Sequence, residues 1–94
     1  MEIKSRVFNN GDSMPSRYTW DGEDINPPLD VIDIPKEADT VAIIMDDPDA
    51  PSGTWVHWLV WNIPIINNSL TIKEGIEPPD AIYGTNDFDK LKYG

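Results

Sequence analysis

A proline-stiffened acidic turn set between two short apolar runs constrains this chain more than any other feature. The first run is Val41-Ala42-Ile43-Ile44-Met45, the turn is Asp46-Asp47-Pro48-Asp49-Ala50-Pro51, and the second run extends from Trp55 to Ile63. Thr40 to Met45 is short, rich in β-branched residues and apolar on both faces, which predicts a fully buried strand. Trp55 to Ile63 predicts a second strand, stopped by Pro64. Period-two spacing puts Trp55, His57, Leu59, Trp61 and Ile63 on one face, and Val56, Trp58, Val60 and Asn62 on the other. If the two strands are neighbours, the turn brings Asp47 or Asp49 close to His57, the only histidine of the chain. A carboxylate beside an imidazole, walled by tryptophans, is the strongest candidate for a chemical site.

The rest of the chain reads as strands joined by turns. Nine prolines and six glycines leave no convincing amphipathic helix. Ile3 to Phe8 alternates well enough for an edge strand, and Asn9-Asn10-Gly11-Asp12 is a turn. Tyr18-Thr19-Trp20 predicts a short strand closed by Asp21-Gly22, with Trp20 a partly exposed edge aromatic. Asn26-Pro27-Pro28-Leu29 is extended, because each proline pushes its predecessor out of the α region. Leu29 to Ile34 mixes apolar and acidic residues and predicts a strand with one wet face. Trp61 is expected in the core. From Asn67 onward the pattern weakens, and Tyr83 to Asp87 reads as irregular.

Composition narrows the functions. At 94 residues the chain is one domain at most. A net charge of −10, with seven scattered basic residues, argues against nucleic acid as a partner and against stable anchoring on an anionic membrane. Without cysteine there is no disulfide framework, thiol catalysis or Cys-ligated metal. Met1 to Arg6 lacks the apolar core of a signal peptide, and no apolar run approaches the ~20 residues that span a bilayer. The expectation is a cytoplasmic protein; its oligomeric state is not legible.

Several chemistries compete for the acidic turn. His57 can be a core histidine, hydrogen-bonded by an aspartate that orders the turn. Asp46, Asp47, Asp49 and His57 carry donor atoms for a metal, but Pro48 and Pro51 stiffen the loop and no glycine supplies a calcium loop's sharp bend. A two-carboxylate hydrolase lacks a second histidine, and neither Ser52 nor Ser69 sits in a glycine-flanked nucleophile turn. No cofactor, metal or catalytic residue is therefore expected.

Three motifs in this order and spacing resemble the phosphatidylethanolamine-binding protein family, which includes the Raf kinase inhibitor protein and small prokaryotic relatives. They are Gly22 with Asn26-Pro27-Pro28-Leu29, the stretch Met45 to Pro51, and Trp55-Val56-His57-Trp58. Met14 to Thr19 is similar to the entry seen in the prokaryotic branch, and the resemblance runs from about Phe8 to Gly94. It implies an all-β, sandwich-like fold with a small anion-binding pocket at one end. Carried over by motif, Asp47 and His57 line that pocket, Asp49 is the second turn aspartate and Trp55 the aromatic two before the histidine; Trp55, Pro48 and Pro51 are expected to shape the pocket. The implied function is recognition of a phosphate or other anionic group without catalysis, with Asp47 orienting His57. A second implied class is a protein-interaction module that inhibits a kinase or protease. Asp24 and Asn26 stand where the family usually has Asn and Ser. Members continue past a position like Tyr93-Gly94 into a Gly-Pro-x-Pro-Pro segment and a His-x-Tyr that form the rest of the pocket. The expectation is thus one domain over 1–94, incomplete at its C-terminus.

Overall fold

The computed structural model describes residues 1–94 and consists of two three-stranded antiparallel sheets with no α-helix. Strands β1 (Glu2–Lys4), β2 (Leu29–Ile32) and β5 (Leu70–Ile72) form the first, in the order β1-β2-β5. Strands β3 (Thr40–Asp47), β4 (Trp55–Pro64) and β6 (Ile82–Tyr83) form the second, in the order β3-β4-β6. Leu29, Val31, Leu70 and Ile72 from one sheet meet Ile43, Trp58, Val60 and Ile63 from the other in a single apolar cluster. The architecture is the all-β sandwich expected from the motifs.

Local chemistry explains where the strands stop. β1 ends at Lys4, opposite Asp30. Two steps further its partner would be Pro28, which has no N–H to give; the Ser5 hydroxyl donates to the Pro28 carbonyl at 2.6 Å. The strand expected over Ile3 to Phe8 is therefore a three-residue stub. β2 alternates buried and half-buried residues as its pattern predicts, and Asp33, at φ 53, turns the chain out of it. The Asn9 to Asp12 turn is present, with Asp12 N–H on the Asn9 carbonyl at 3.0 Å.

Three expectations need correction. Tyr18-Thr19-Trp20 is not a strand: Ser16–Tyr18 is a turn of 3-10 helix, held by Tyr18 N–H on Pro15 O and Thr19 N–H on Ser16 O, each 3.0 Å. The β3 strand is not buried on both faces, because it lies at a sheet edge with nothing over its outer side; only Ile43 is buried and Ile44 is 68% exposed. Strict alternation also fails in β4. Trp58, Val60 and Ile63 share the core, while Trp61, expected inside, lies on the outer face.

Strand β4 carries two bulges, and the one at Asn62 returns Ile63 to the core side. Val41 pairs with Ile63 but Ile43 pairs with Val60, so β4 carries one residue more than β3 between these points. Asn62, at φ 58, absorbs it; asparagine tolerates the left-handed backbone better than most side chains. Met45 pairs with Trp58 while Asp46 pairs with Val56, which leaves His57 as the second inserted residue.

Candidate functional site

Both ends of the acidic turn are fixed by its own side chains and glycine. Asp47 Oδ1 accepts the Asp49 N–H at 3.0 Å, an aspartate turn that bends the chain as β3 ends. Gly53, at φ 101, closes the turn with its N–H on the Ala50 carbonyl at 3.0 Å. The chain then returns as β4, with Trp55 paired to Asp47.

At the bulge His57 is gripped from the far end of the chain. Its carbonyl accepts the Gly94 N–H at 3.2 Å, and its ring Nδ1 donates to the Gly94 carbonyl at 2.7 Å. A carbonyl only accepts, so Nδ1 carries the proton; Nε2 is then a lone-pair acceptor in the neutral ring and a donor in the imidazolium. Nε2 makes no hydrogen bond within the protein. The expected orientation of His57 by Asp47 is not what is observed: the backbone of Gly94 holds the ring.

Buried Asn86 organises the segment that brings Gly94 there. Its amide nitrogen donates to Lys92 O at 2.7 Å and to His57 O at 3.4 Å, while its carbonyl accepts from Phe88 N–H at 2.9 Å and Lys90 N–H at 3.1 Å. Asp87 adds two bonds to Val56, accepting its N–H at 2.5 Å and donating to its carbonyl at 2.9 Å. Phe88 stands edge-on to Trp55, centroids 5.2 Å apart, and tilted against His57 at 6.2 Å. Tyr93 packs edge-on to Trp58 at 5.5 Å and donates its hydroxyl to Tyr18 O at 2.6 Å.

The Pro15 to Asp24 segment forms the opposite wall. A Cβ on Gly22 would sit 2.4 Å from the Ser16 carbonyl oxygen, so only glycine permits this doubling back. Tyr18 hydrogen-bonds Glu74, and Arg17 is neutralised by Glu74 at 3.2 Å and Glu23 at 3.4 Å. Trp20 projects from the tip, 80% exposed.

These three segments enclose an open cavity of about 560 Å³. Asp46, Asp47, Ala50, Pro51 and Ser52 line it from the turn, Trp55 and His57 from β4, Met14, Tyr18, Thr19, Trp20 and Asp24 from one wall, and Phe88, Tyr93 and Gly94 from the other. Of the residues expected from sequence, Asp47, Pro51, Trp55 and His57 lie on the wall. Pro48 and Asp49 belong to the turn but do not line the cavity. Sequence reasoning missed Asp24, Phe88 and Tyr93 as lining residues; they fall in irregular segments that carry no periodic signal.

The cavity is acidic and aromatic. Asp24, Asp46 and Asp47 face it with no lysine or arginine, and His57 is the one side chain there able to become a cation. Burial, reinforced by the Asp24 charge, pushes the Tyr93 hydroxyl up to about 12; the hydrogen bond to Glu74, then burial, raises that of Tyr18. Both hydroxyls are neutral near pH 7. Asp46, Asp47, Asp49 and His57 do not converge as metal ligands would.

Residues 4–94 match the family model for phosphatidylethanolamine-binding protein. The chain belongs to that family. A UPF0098 protein of Methanothermobacter thermautotrophicus is 43% identical over 98 residues, covering 99% of this chain and 64% of the relative. One from Pyrococcus abyssi is 44% identical over 96 residues, covering 95% and 52%. The crystal structure of a phosphatidylethanolamine-binding protein homologue from Chlamydia trachomatis superposes with a TM-score of 0.85 at 33% identity, covering 97% of this chain and 61% of that one. Escherichia coli YbcL, described as a member of the mammalian family, gives 0.82 at 25% identity, covering 99% and 63%. The chain thus spans between half and two-thirds of the length of these relatives.

Proposed function

We propose that this protein is a binding protein for a small phosphorylated or otherwise anionic ligand, and that it performs no chemistry on it. The observation that carries this reading is His57 on the cavity wall, with Nδ1 held by Gly94 and Nε2 free of any protein partner. A ring fixed in this way offers one directed donor once protonated, at no further cost in orientation. Asp47 complements it from the turn. One carboxylate oxygen builds the turn, and the other can accept a proton from a phosphate hydroxyl or from an ammonium on the same ligand. This resolves the conflict between an anionic ligand and a cavity with three carboxylates, since a ligand that also carries donor hydrogens satisfies both sides. Trp55, Phe88 and Pro51 supply the apolar wall.

Absence of catalysis is part of the proposal. The cavity contains no nucleophile paired with a base: Ser52 lines the wall exposed, and the His57 nitrogen that could serve it competes with the ligand role. A cytoplasmic location is part of the proposal, in line with the acidic, cysteine-free sequence; separately, no helix is long and apolar enough to cross a membrane. A second reading, an interaction module acting on a kinase or protease, draws on the exposed Trp20 and Phe88 beside the cavity.

The test is a titration with phosphoethanolamine and, separately, inorganic phosphate, following the His57 ring resonances. Saturable shifts with either, lost in His57→Gln, are expected. Unchanged ring resonances in a folded sample would reject the anion-pocket reading. Shifts with a protein partner but with neither small ligand would favour the second one.

A further inference from the structure

The cavity wall that carries Tyr18 and Asp24 is fastened to the sheet that does not carry His57. Just after β5, residues Lys73 to Ile76 form a tight turn, with Ile76 N–H on the Lys73 carbonyl at 3.1 Å and Gly75 at φ 69. Buried Asn26 locks this turn at three points. Its backbone carbonyl accepts the Gly75 N–H at 2.9 Å, and its side-chain amide donates to Lys73 O at 3.0 Å and to Ile76 O at 3.3 Å. Glu74 therefore projects from a backbone that is already fixed.

Each Glu74 oxygen holds a different residue of the wall. Oε1 accepts the Tyr18 hydroxyl, and Oε2 meets the Arg17 guanidinium at 3.2 Å. Arg17 also reaches Glu23 at 3.4 Å, and its carbonyl accepts the Asp24 N–H at 3.1 Å. These bonds close residues 17–24 into a loop at its neck. That loop bears four residues of the cavity lining, Tyr18, Thr19, Trp20 and Asp24, whereas Glu74 stands behind it and off the lining. Tyr18 is held at both ends, its carbonyl by the Tyr93 hydroxyl at 2.6 Å and its own hydroxyl by Glu74. An exposed ion pair alone contributes little, but the same carboxylate here also satisfies a buried tyrosine.

From this we infer that Glu74 is a positioning residue for the cavity: through Tyr18 and Arg17 it holds the 17–24 loop in place opposite His57. Its effect on affinity rests on the ligand reading given above; its hold on the loop does not.

The test combines amide exchange in the free protein with phosphoethanolamine affinity. In Glu74→Ala the Gly22 and Asp24 amides, bonded within the loop, should exchange at least about tenfold faster, while the β3–β4 ladder keeps its parent rates. Affinity should fall about tenfold, and Glu74→Gln, which keeps an acceptor for Tyr18, should recover most of it. Tyr18→Phe should cause a similar loss, to which Glu74→Ala adds less than about twofold, because both remove one contact. A merely structural role would instead speed exchange in β3 and β4 as well, or make the two losses multiply; either result would overturn the inference. So would parent exchange rates at Gly22 and Asp24 in folded Glu74→Ala. A parent protein that fails to bind phosphoethanolamine would reject the ligand reading, and the exchange rates would then decide by themselves whether Glu74 holds the loop.

Discussion

The two bulges of β4 are each a single residue inserted against β3, but they are accommodated by different means. At Asn62 the strand solves the problem alone. An exposed asparagine takes the left-handed backbone, and Ile63 is returned to the core side. At His57 the backbone is held from outside, by Gly94 on both its carbonyl and its ring and by Asn86 on the carbonyl again. The first bulge serves packing and needs only a tolerant residue. The second aims a titratable ring into a cavity and draws on a whole distant segment to do so.

Removing the external hold is the most direct way to break this contrast. Asn86→Ala deletes an amide that bonds two carbonyls and two N–H groups in a buried place. Stranding those groups should cost about 2–4 kcal/mol in a urea unfolding titration. The His57 ring resonances should also broaden or shift, since the segment carrying Gly94 is no longer organised. A loss under about 1 kcal/mol with an unchanged ring would mean that Asn86 does not hold the bulge.

The same segment is anchored by Tyr93, which gives a pH test. Its hydroxyl is pushed up to about 12, mainly by burial and further by Asp24. In the unfolded chain it ionises near its ordinary value of 10.0. Between these values the unfolded state releases a proton that the folded state retains. Stability is therefore complete below pH 10 and falls as the pH rises toward 12, by about 2–3 kcal/mol from this residue. Tyr18 and Tyr83 are shifted in the same direction and steepen the loss. Tyr93→Phe should flatten the alkaline limb of a chemical denaturation series; an unchanged limb would place the sensitivity elsewhere.

The Asn62 bulge should respond to backbone preference alone. Asn62→Val forces a β-branched residue to φ near 58 and should cost about 1–2 kcal/mol, whereas Asn62→Gly should stay within about 0.5 kcal/mol. Neither should move the His57 resonances. Equal costs for the two would show that this bulge also depends on side-chain contacts.

The same division explains what the sequence disclosed. The β3–β4 pairing, the acidic turn and the Asn9 to Asp12 turn were legible because proline, glycine and local periodicity dictate them. β2 was visible through its alternation. Bulges were not, because alternation is counted from one residue and a single insertion inverts everything beyond it; this misplaced Ile63, whereas Trp61 was expected inside only because a large aromatic usually belongs to the core. That β3 lies at an edge was hidden as well, since an apolar run does not say which neighbours it has. Strands β5 and β6 were lost because three- and two-residue elements carry too little pattern. In the candidate site, Asp47, Trp55 and His57 were found through a dense motif. Asp24, Phe88 and Tyr93 reach the cavity only through tertiary contacts such as the Asn86 hub and the Tyr93–Tyr18 bond.

The smallest expected effect separates two aspartates that the motif treats alike. Asp47 lines the cavity and uses one oxygen to cap the Asp49 N–H; Asp49 contributes that N–H, and its side chain lies off the wall. Asn at position 47 retains a carbonyl oxygen for the cap, so Asp47→Asn keeps the turn and removes only the charge. If the carboxylate accepts a ligand proton, phosphoethanolamine affinity should fall by about tenfold, the scale of one charge-assisted hydrogen bond. Asp49→Asn leaves the cavity unchanged, and its affinity should stay within about twofold of the parent, a difference of about 0.4 kcal/mol. Equal losses at both positions would point to the summed negative potential of the turn rather than a directed contact. In that case raising the salt concentration should erase both losses together, because a field of exposed charges is screened within about 8 Å at physiological ionic strength, while a contact buried against its ligand is not.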